Sequence, residues 1–336
     1  MNLRNLITAV CATLSCAAVN AAEADHFTNR DAAPEAAMFL NEKMNAALDE
    51  IASGSTSCEE DELHAAIIGK LGGFGASRIE RWGREVPTYN RVPMSQSIYG
   101  TSTGVMNIQM LGACCAPTFK LGGNVVSADK LGHFLHSGYE MFYAATLRSE
   151  RRVNATSTLN KLYSVLGARR TGVPVTSTGI NAVFDLSHYQ ETNGWGLNGP
   201  GVYSYGDIAA NYDGYRFWTQ VSRGTNPYFK CDAGKWKRVR RFDWLDFATA
   251  AWDEGINCST FRADRAAAIS AQITRVLTEK GVRPPTCPVS RSACAALVAT
   301  YPSSRSRILH PACLRTGQAY RATPGEFKSP PQGGTR

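Results

Sequence analysis

Apolar and titratable positions separate most clearly at residues 127–147, SADKLGHFLHSGYEMFYAATL, where they fall on two sides of one predicted helix. An advance of about 100° per residue places His133, His136 and Glu140 within about 40° of Asp129. Leu131, Phe134, Leu135, Met141, Phe142 and Ala145 take the other side, with Gly138 among them, as a face suited to a core. Ser127 supplies an N-cap, and Asp129 suits the positive end of the helix dipole. Asp, His and Glu are the types that ligate metals and move protons, whereas solvated helix faces are richer in Lys, Glu and Arg. This strip is the first candidate site.

The same periodicity predicts helices elsewhere. Leu40, Met44, Leu48 and Ile51 mark one that stops at Gly54. Ser57 with Glu60 reads as a capping box for a second, which carries Leu63, Ile67 and Ile68 and ends at Gly72-Gly73. His64 rides on it outside any carboxylate strip, so a structural or surface role is expected. A short helix at 76–84 follows, and residues 86–126 show no sustained period. Another helix is predicted at 155–167, then an irregular stretch at 169–201, inside which Asp185, His188 and Glu191 share a face if the segment is helical. A short helix is read at 243–254 around Trp244, Phe247, Ala251 and Trp252. Ser259 is expected to cap a longer one with Ile269, Ile273, Val276 and Leu277 before Gly281, and Pro284-Pro285 breaks the chain. A last helix at 292–300 precedes a Pro- and Gly-rich tail, 322–336, with the composition of disorder.

The expected fold is mostly α, an irregular multi-helix bundle with long loops, supported by disulfides. Residues 1–22 resemble a secretory signal: Arg4, an apolar run at 6–19 and the small-residue cleavage site Val19-Asn20-Ala21-Ala22. Residues 23–222 would form the helical domain carrying the polar site, and 223–321 a C-terminal helical subdomain containing cysteines. Two of the ten cysteines fall in the leader, and the remaining eight, with no CxxC pair, favour disulfides over zinc. Cys231 with Cys258, and a pair within Cys287, Cys294 and Cys313, are the expected bridges; the adjacent Cys114 and Cys115 would each reach a distant partner. No apolar run after the leader is long enough to cross a bilayer. The net charge of +8 suits anionic envelope surfaces, including peripheral membrane contact. The basic run Lys235, Lys237, Arg238, Arg240 and Arg241 matches no nucleic-acid module, so no nucleic-acid partner is expected.

A second informative run is GVYSYGDIAANYDGYRFW, residues 201–218. Ser204 and Asp207 form a carboxylate version of the capping box, and Asn211, Gly214 and Trp218 lie within about 40° of Asp207 on a helix. Gly214 removes a side chain where a backbone or ligand can approach, and Trp218 adds surface to bury. This face is expected to meet the strip of Asp129, His133, His136 and Glu140; otherwise Asp207 is a cap and Asn211 a core hydrogen-bonder. The order Asp129-Lys130-Leu131-Gly132-His133-Phe134, an intervening acid, then Ser204-Tyr205-Gly206-Asp207 to Asn211 and Gly214 is similar to the motif order of VanZ-like proteins. It also resembles a group of uncharacterised exported bacterial proteins sharing these elements. Glu191 is the candidate for the intervening acid, with Glu150 the alternative. VanZ-like proteins are integral to the membrane and this chain lacks their apolar spans, so the resemblance implies only that the two runs meet in one helical unit.

Two functions follow. The first is an exported hydrolase of a cell-envelope lipid or glycan, periplasmic or secreted. Asp129, His133, Glu191, Asp207 and Asn211 would be its catalytic groups, and His133, His136 and Glu140 the ligands of a divalent metal such as zinc. The chain has no GxSxG element, which disfavours an α/β-type serine hydrolase. The second is a non-catalytic lipid-, glycan- or protein-binding factor whose polar strip is a buried network fixing two helices.

Overall fold

The fold is seen in a computed structural model that describes residues 30–72, 77–87, 117–147, 177–193, 196–198, 201–281 and 287–321. Helices α1 (Ala37–Ser53) and α2 (Glu60–Leu71) bury Leu40, Met44, Leu48, Leu63, Ile67 and Ile68, the residues whose spacing predicted them. The Ser57–Glu60 box does not form. Ser57 Oγ instead accepts from Glu59 N and donates to Glu62, and α2 starts after Glu59 with no side-chain cap. A true capping box opens α3 (Arg78–Gly83), between Ser77 and Glu80. An unpredicted hairpin, β1 (Thr118–Leu121) and β2 (Asn124–Ser127), leads directly into the central helix.

That helix, α4, is continuous but not uniform. It runs Asp129–Gly132 in α geometry, His133–Ser137 as a π turn, Gly138–Phe142 in α geometry and Tyr143–Leu147 as a second π turn. Within the stretch expected to be irregular lies α5 (Gly179–Asn193), whose buried Ala182, Val183, Phe184 and Leu186 supply the packing that a helix rich in Ser, Asn, His and Thr needs. β3 (Val202–Ser204) then enters α6 (Tyr205–Trp218), capped by Ser204 as predicted.

Beyond α6, the hairpin β4 (Phe229–Asp232) and β5 (Lys235–Arg238) folds back on the first helices, where Trp236 N donates to Ser55 Oγ. The predicted 243–254 helix is instead two 3₁₀ turns, Trp244–Asp246 and Ala250–Trp252, each capped by its own side chain, Asp243 and Thr249. Ser259 caps nothing; it lies in β6 (Ser259–Phe261), paired with Ser204 of β3. α7 (Ala266–Glu279), α8 (Arg291–Thr300), α9 (Arg305–Ile308) and α10 (Pro311–Arg321) complete the described chain.

Among the described residues helices dominate, and the strands form three separate two-stranded ribbons. One core joins α1 to α4, α6 and the C-terminal section. At its centre Phe134 of α4 lies within 5.0–6.0 Å, ring to ring, of Phe217, Phe242, Trp244, Phe247 and Trp252. Burying a ring of that size contributes about 1.5–3 kcal/mol, so this contact group fixes α4 against α6. His64 is fully buried, edge-on to Tyr139, Phe142 and Trp218, a structural placement.

The described disulfides are Cys58–Cys231, Cys258–Cys287 and Cys294–Cys313. The expected Cys231–Cys258 bridge is replaced because the β4–β5 hairpin carries Cys231 back to the start of α2. Cys294–Cys313 is a pair within the expected set. Cys114, Cys115, the leader, the 155–167 helix, Pro284-Pro285 and the tail fall outside the described residues. Among those described, no helix is long and apolar enough to cross a membrane. Most of the basic run is engaged in ion pairs: Lys237 with Asp232, Arg238 with Asp49 and Arg240 with Asp246.

Candidate functional site

Two glycines bring the polar runs together. A Cβ on Gly214 of α6 would lie 2.0 Å from the Phe134 carbonyl oxygen, and one on Gly138 of α4 would lie 2.5 Å from Gly214 Cα. Only glycine permits this approach. Trp218 Nε1 donates to the Leu135 carbonyl at 2.8 Å and locks the pair. The expectation that the Asp207 face of α6 meets α4 is met at Asp129 and His133, but not along the whole strip.

The π turn explains where the strip divides. It places one extra residue in a turn, so later positions fall back by about 100° from the α count. His136 is turned toward the end of α2, where a Cβ on Gly72 would lie 2.5 Å from its Nε2. Burial, with His133 nearby, pushes its imidazole down to about 4. Glu140 turns toward α5 and accepts from Gln190 Nε2 at 2.6 Å. The three proposed ligands His133, His136 and Glu140 are thus directed to different partners.

Asp129, His133 and Asp207 converge instead: each offers a ligand atom within 4.8 Å of the others. His133 Nε2 lies 3.2 Å from Asp207 Oδ2, and its Nδ1 lies 3.0 Å from Asn211 Oδ1. Asn211 Nδ2 donates to Ser187 Oγ at 2.8 Å, which turns its carbonyl oxygen toward His133. The proton of a neutral imidazole then sits on Nδ1. In this orientation Nε2 faces Asp207 Oδ2, and a second proton or a divalent ion between them makes the contact favourable.

Behind this pair lies a sealed ionic cage. The fully buried Lys130 ammonium is 2.7 Å from Asp207 Oδ1, 2.9 Å from Glu254 Oε1 and 3.7 Å from Asp129 Oδ2. Glu254 Oε1 also accepts from Ser204 Oγ at 2.6 Å, and Ser204 Oγ accepts from Asp207 N at 3.0 Å. Glu191, buried on α5, accepts from Ser204 N at 3.0 Å, so it supports the cap of α6 one residue away from the ionic cluster. Asp253 presents Glu254, since its carboxylate takes Val125 N of β2 and the Arg30 guanidinium. Asp129 hydrogen-bonds with Ser127, the residue read as an N-cap.

Burial raises the Asp129 carboxyl, and Asp207 adds to the rise against the opposing Lys130 and His133. Glu80 of α3 lies against the Gly132 backbone, where a Cβ would meet its Oε1 at 1.7 Å, and burial together with Asp129 pushes its carboxyl up to about 8. Gly132 therefore admits a further acid beside the cluster. The carboxyls of Asp129, Asp207 and Glu254 surround the Lys130 ammonium, with the His133 imidazole alongside.

The His133–Asp207 pair has the spacing of two ligands on one divalent cation, with Asp129 nearby. Two ligands on a tetrahedral zinc at about 2.0–2.1 Å stand about 3.3 Å apart, close to the 3.2 Å between His133 Nε2 and Asp207 Oδ2. The Nδ1 contact to Asn211 matches the outer hydrogen bond that fixes metal-binding histidines. Sequence reasoning missed Lys130, Glu254, Ser187 and Glu80. Lys130 lies inside the quoted motif, but a charged residue between Asp129 and Leu131 carries no sign of burial. Compared with protein-family models, curated proteins and solved structures, the chain matches none.

Proposed function

We propose that the chain is an exported hydrolase acting on a cell-envelope lipid or glycan, with Asp129, His133 and Asp207 holding a divalent cation such as zinc. The observation that carries this is the convergence of Asp129, His133 and Asp207, with His133 Nε2 3.2 Å from Asp207 Oδ2 and Nδ1 held by Asn211. Such a cation supplies Lewis-acid polarisation of the scissile group at neutral pH. His133 has the most exposed side chain of the cluster, 17% against 6% or less for Asp129, Lys130 and Asp207, so substrate approaches from the His133 side. Asn211 and Ser187 fix the ring, Lys130 and Glu254 hold Asp207 from behind, and Glu191 holds the Ser204 backbone. Export is supported by the leader-like residues 1–22 and by the three disulfides among the described residues, since disulfides persist in oxidising compartments.

The near-complete burial of Asp129, Lys130, Asp207 and Glu254 favours a second reading, a packing network in a non-catalytic binding factor. Elemental mass spectrometry on protein purified without chelators separates the two, with His133→Ala and Asp207→Asn alongside. The hydrolase reading expects about one zinc or manganese per wild-type chain, lost in both variants with folding retained, and metal-dependent hydrolysis of envelope lipids or glycans. Wild-type protein that takes up no divalent ion, together with variants that lose stability, establishes the packing network instead.

A further inference from the structure

Lys130 is not needed to bind substrate, because its side chain is fully buried, yet the fold makes room for it at a defined place. A Cβ on Gly206 would lie 3.0 Å from Lys130 Cε and 3.1 Å from Glu254 Cγ, so the glycine beside Asp207 opens the cage that the ammonium fills. The ammonium is ringed by carboxylate oxygens, Asp207 Oδ1, Glu254 Oε1 and Asp129 Oδ2. Asp207 Oδ1 lies 2.7 Å from the Lys130 ammonium, the distance of a charge-assisted contact. The Asp207 carboxylate is divided, one oxygen to Lys130 and the other to His133. That is how a carboxylate bridges two cations, which in two-metal sites stand about 3.5–4 Å apart.

We propose that Lys130 is the resident second cation of a two-cation centre: its ammonium occupies a position that would otherwise take a second divalent ion. The proposal rests on the metal-assisted reading above. The two positions differ in chemistry. The first has an imidazole and suits zinc or manganese. The second is built from the carboxylate oxygens of Asp129, Asp207 and Glu254, and suits a hard ion such as Mn²⁺ or Mg²⁺. The wild-type chain accordingly binds one divalent ion and excludes the other, because a fixed ammonium already neutralises the second position and the surrounding carboxylates are buried.

The test compares wild type, Lys130→Ala and Lys130→Met, each purified with Mn²⁺ and read by native mass spectrometry and electron paramagnetic resonance. The expected stoichiometries are one Mn²⁺ in wild type, two in Lys130→Ala with the signature of an exchange-coupled pair, and no more than one in Lys130→Met, where the side chain fills the space without charge. Should Lys130→Ala fail to fold in chelator, millimolar Mn²⁺ restores its thermal transition, and an absence of restoration overturns the proposal. Two ions in wild type, or one in both wild type and Lys130→Ala, also overturns it while leaving the hydrolase reading standing. Wild type with no ion removes the metal-assisted reading, and this proposal with it.

Discussion

Replacing Gly214 by alanine isolates the contact that brings α4 and α6 together. The new methyl carbon would sit 2.0 Å from the Phe134 carbonyl oxygen and 2.9 Å from Gly138 Cα. Non-bonded carbons rest at about 3.5 Å or more, so the helices must part by roughly 1 Å. Alanine in a helix is otherwise favoured over glycine by about 1 kcal/mol, and that gain is outweighed. Overpacking of this kind costs about 1–3 kcal/mol, and the separation strains two hydrogen bonds, Trp218 to Leu135 and His133 to Asn211, each contributing about 1 kcal/mol. The net expectation is a loss of about 2–4 kcal/mol. Gly69→Ala is the matched control, since it lies within α2 and a Cβ there meets nothing within 4 Å; it should stabilise by about 0.5–1 kcal/mol. Urea unfolding followed by circular dichroism measures both. A Gly214→Ala protein within about 0.5 kcal/mol of wild type would refute the close-packing argument.

Three further outcomes are open to the same assay. Burial pushes the Asp213 carboxyl up to about 6, although Arg216, Trp252 Nε1 and Tyr301 all bind it. The folded state therefore holds this proton more tightly than the unfolded chain, and Asp213 adds stability as pH falls from about 6 toward 4; Asp213→Asn should remove that component of the pH profile. Burial opposes the charge of Glu60, but Arg223 and Ser222 outweigh it and hold the carboxyl at about 2. Its stabilisation is present above pH 4.5 and lost as pH falls toward 2, so Glu60→Gln should lower stability at pH 7 and flatten the acid limb. Cys58→Ser with Cys231→Ser opens a bridge spanning 173 residues and should cost about 2–5 kcal/mol, read as a lower urea midpoint.

What the chain's pattern disclosed was local. α1 and α2 follow from apolar residues three and four apart, and α6 from the Ser204 cap with Asp207, Asn211, Gly214 and Trp218 on one face, because each is decided within a few turns. α5 was hidden because its helix-forming support comes from packing of Phe184 and Leu186 against other elements, not from propensity. The polar strip was half legible for a geometric reason. A count at α pitch is sound from Asp129 to His133, then the π turn redirects His136 and Glu140 toward α2 and α5.

The cage around Lys130 was the least legible, and the reason lies in how charge is buried. Polar pattern treats lysine as a solvated residue, since an isolated buried ammonium is expensive. Only partners distant in the chain reverse that preference: Glu254 comes from 124 residues away, and Asp207 arrives on a second helix admitted by Gly138 and Gly214. The same two glycines that let Trp218 lock onto Leu135 also set the distance at which Asp207 divides its carboxylate between Lys130 and His133. Close backbone approach thus comes first in the causal order and the ionic cage follows from it. On the metal-assisted proposal, widening the helix contact should therefore weaken divalent-ion binding even though Gly214 is none of the three proposed ligands, and equilibrium dialysis of Gly214→Ala against Mn²⁺ measures that link directly. Unchanged affinity in the folded variant would show that Asp129, His133 and Asp207 are held by something other than the α4–α6 contact.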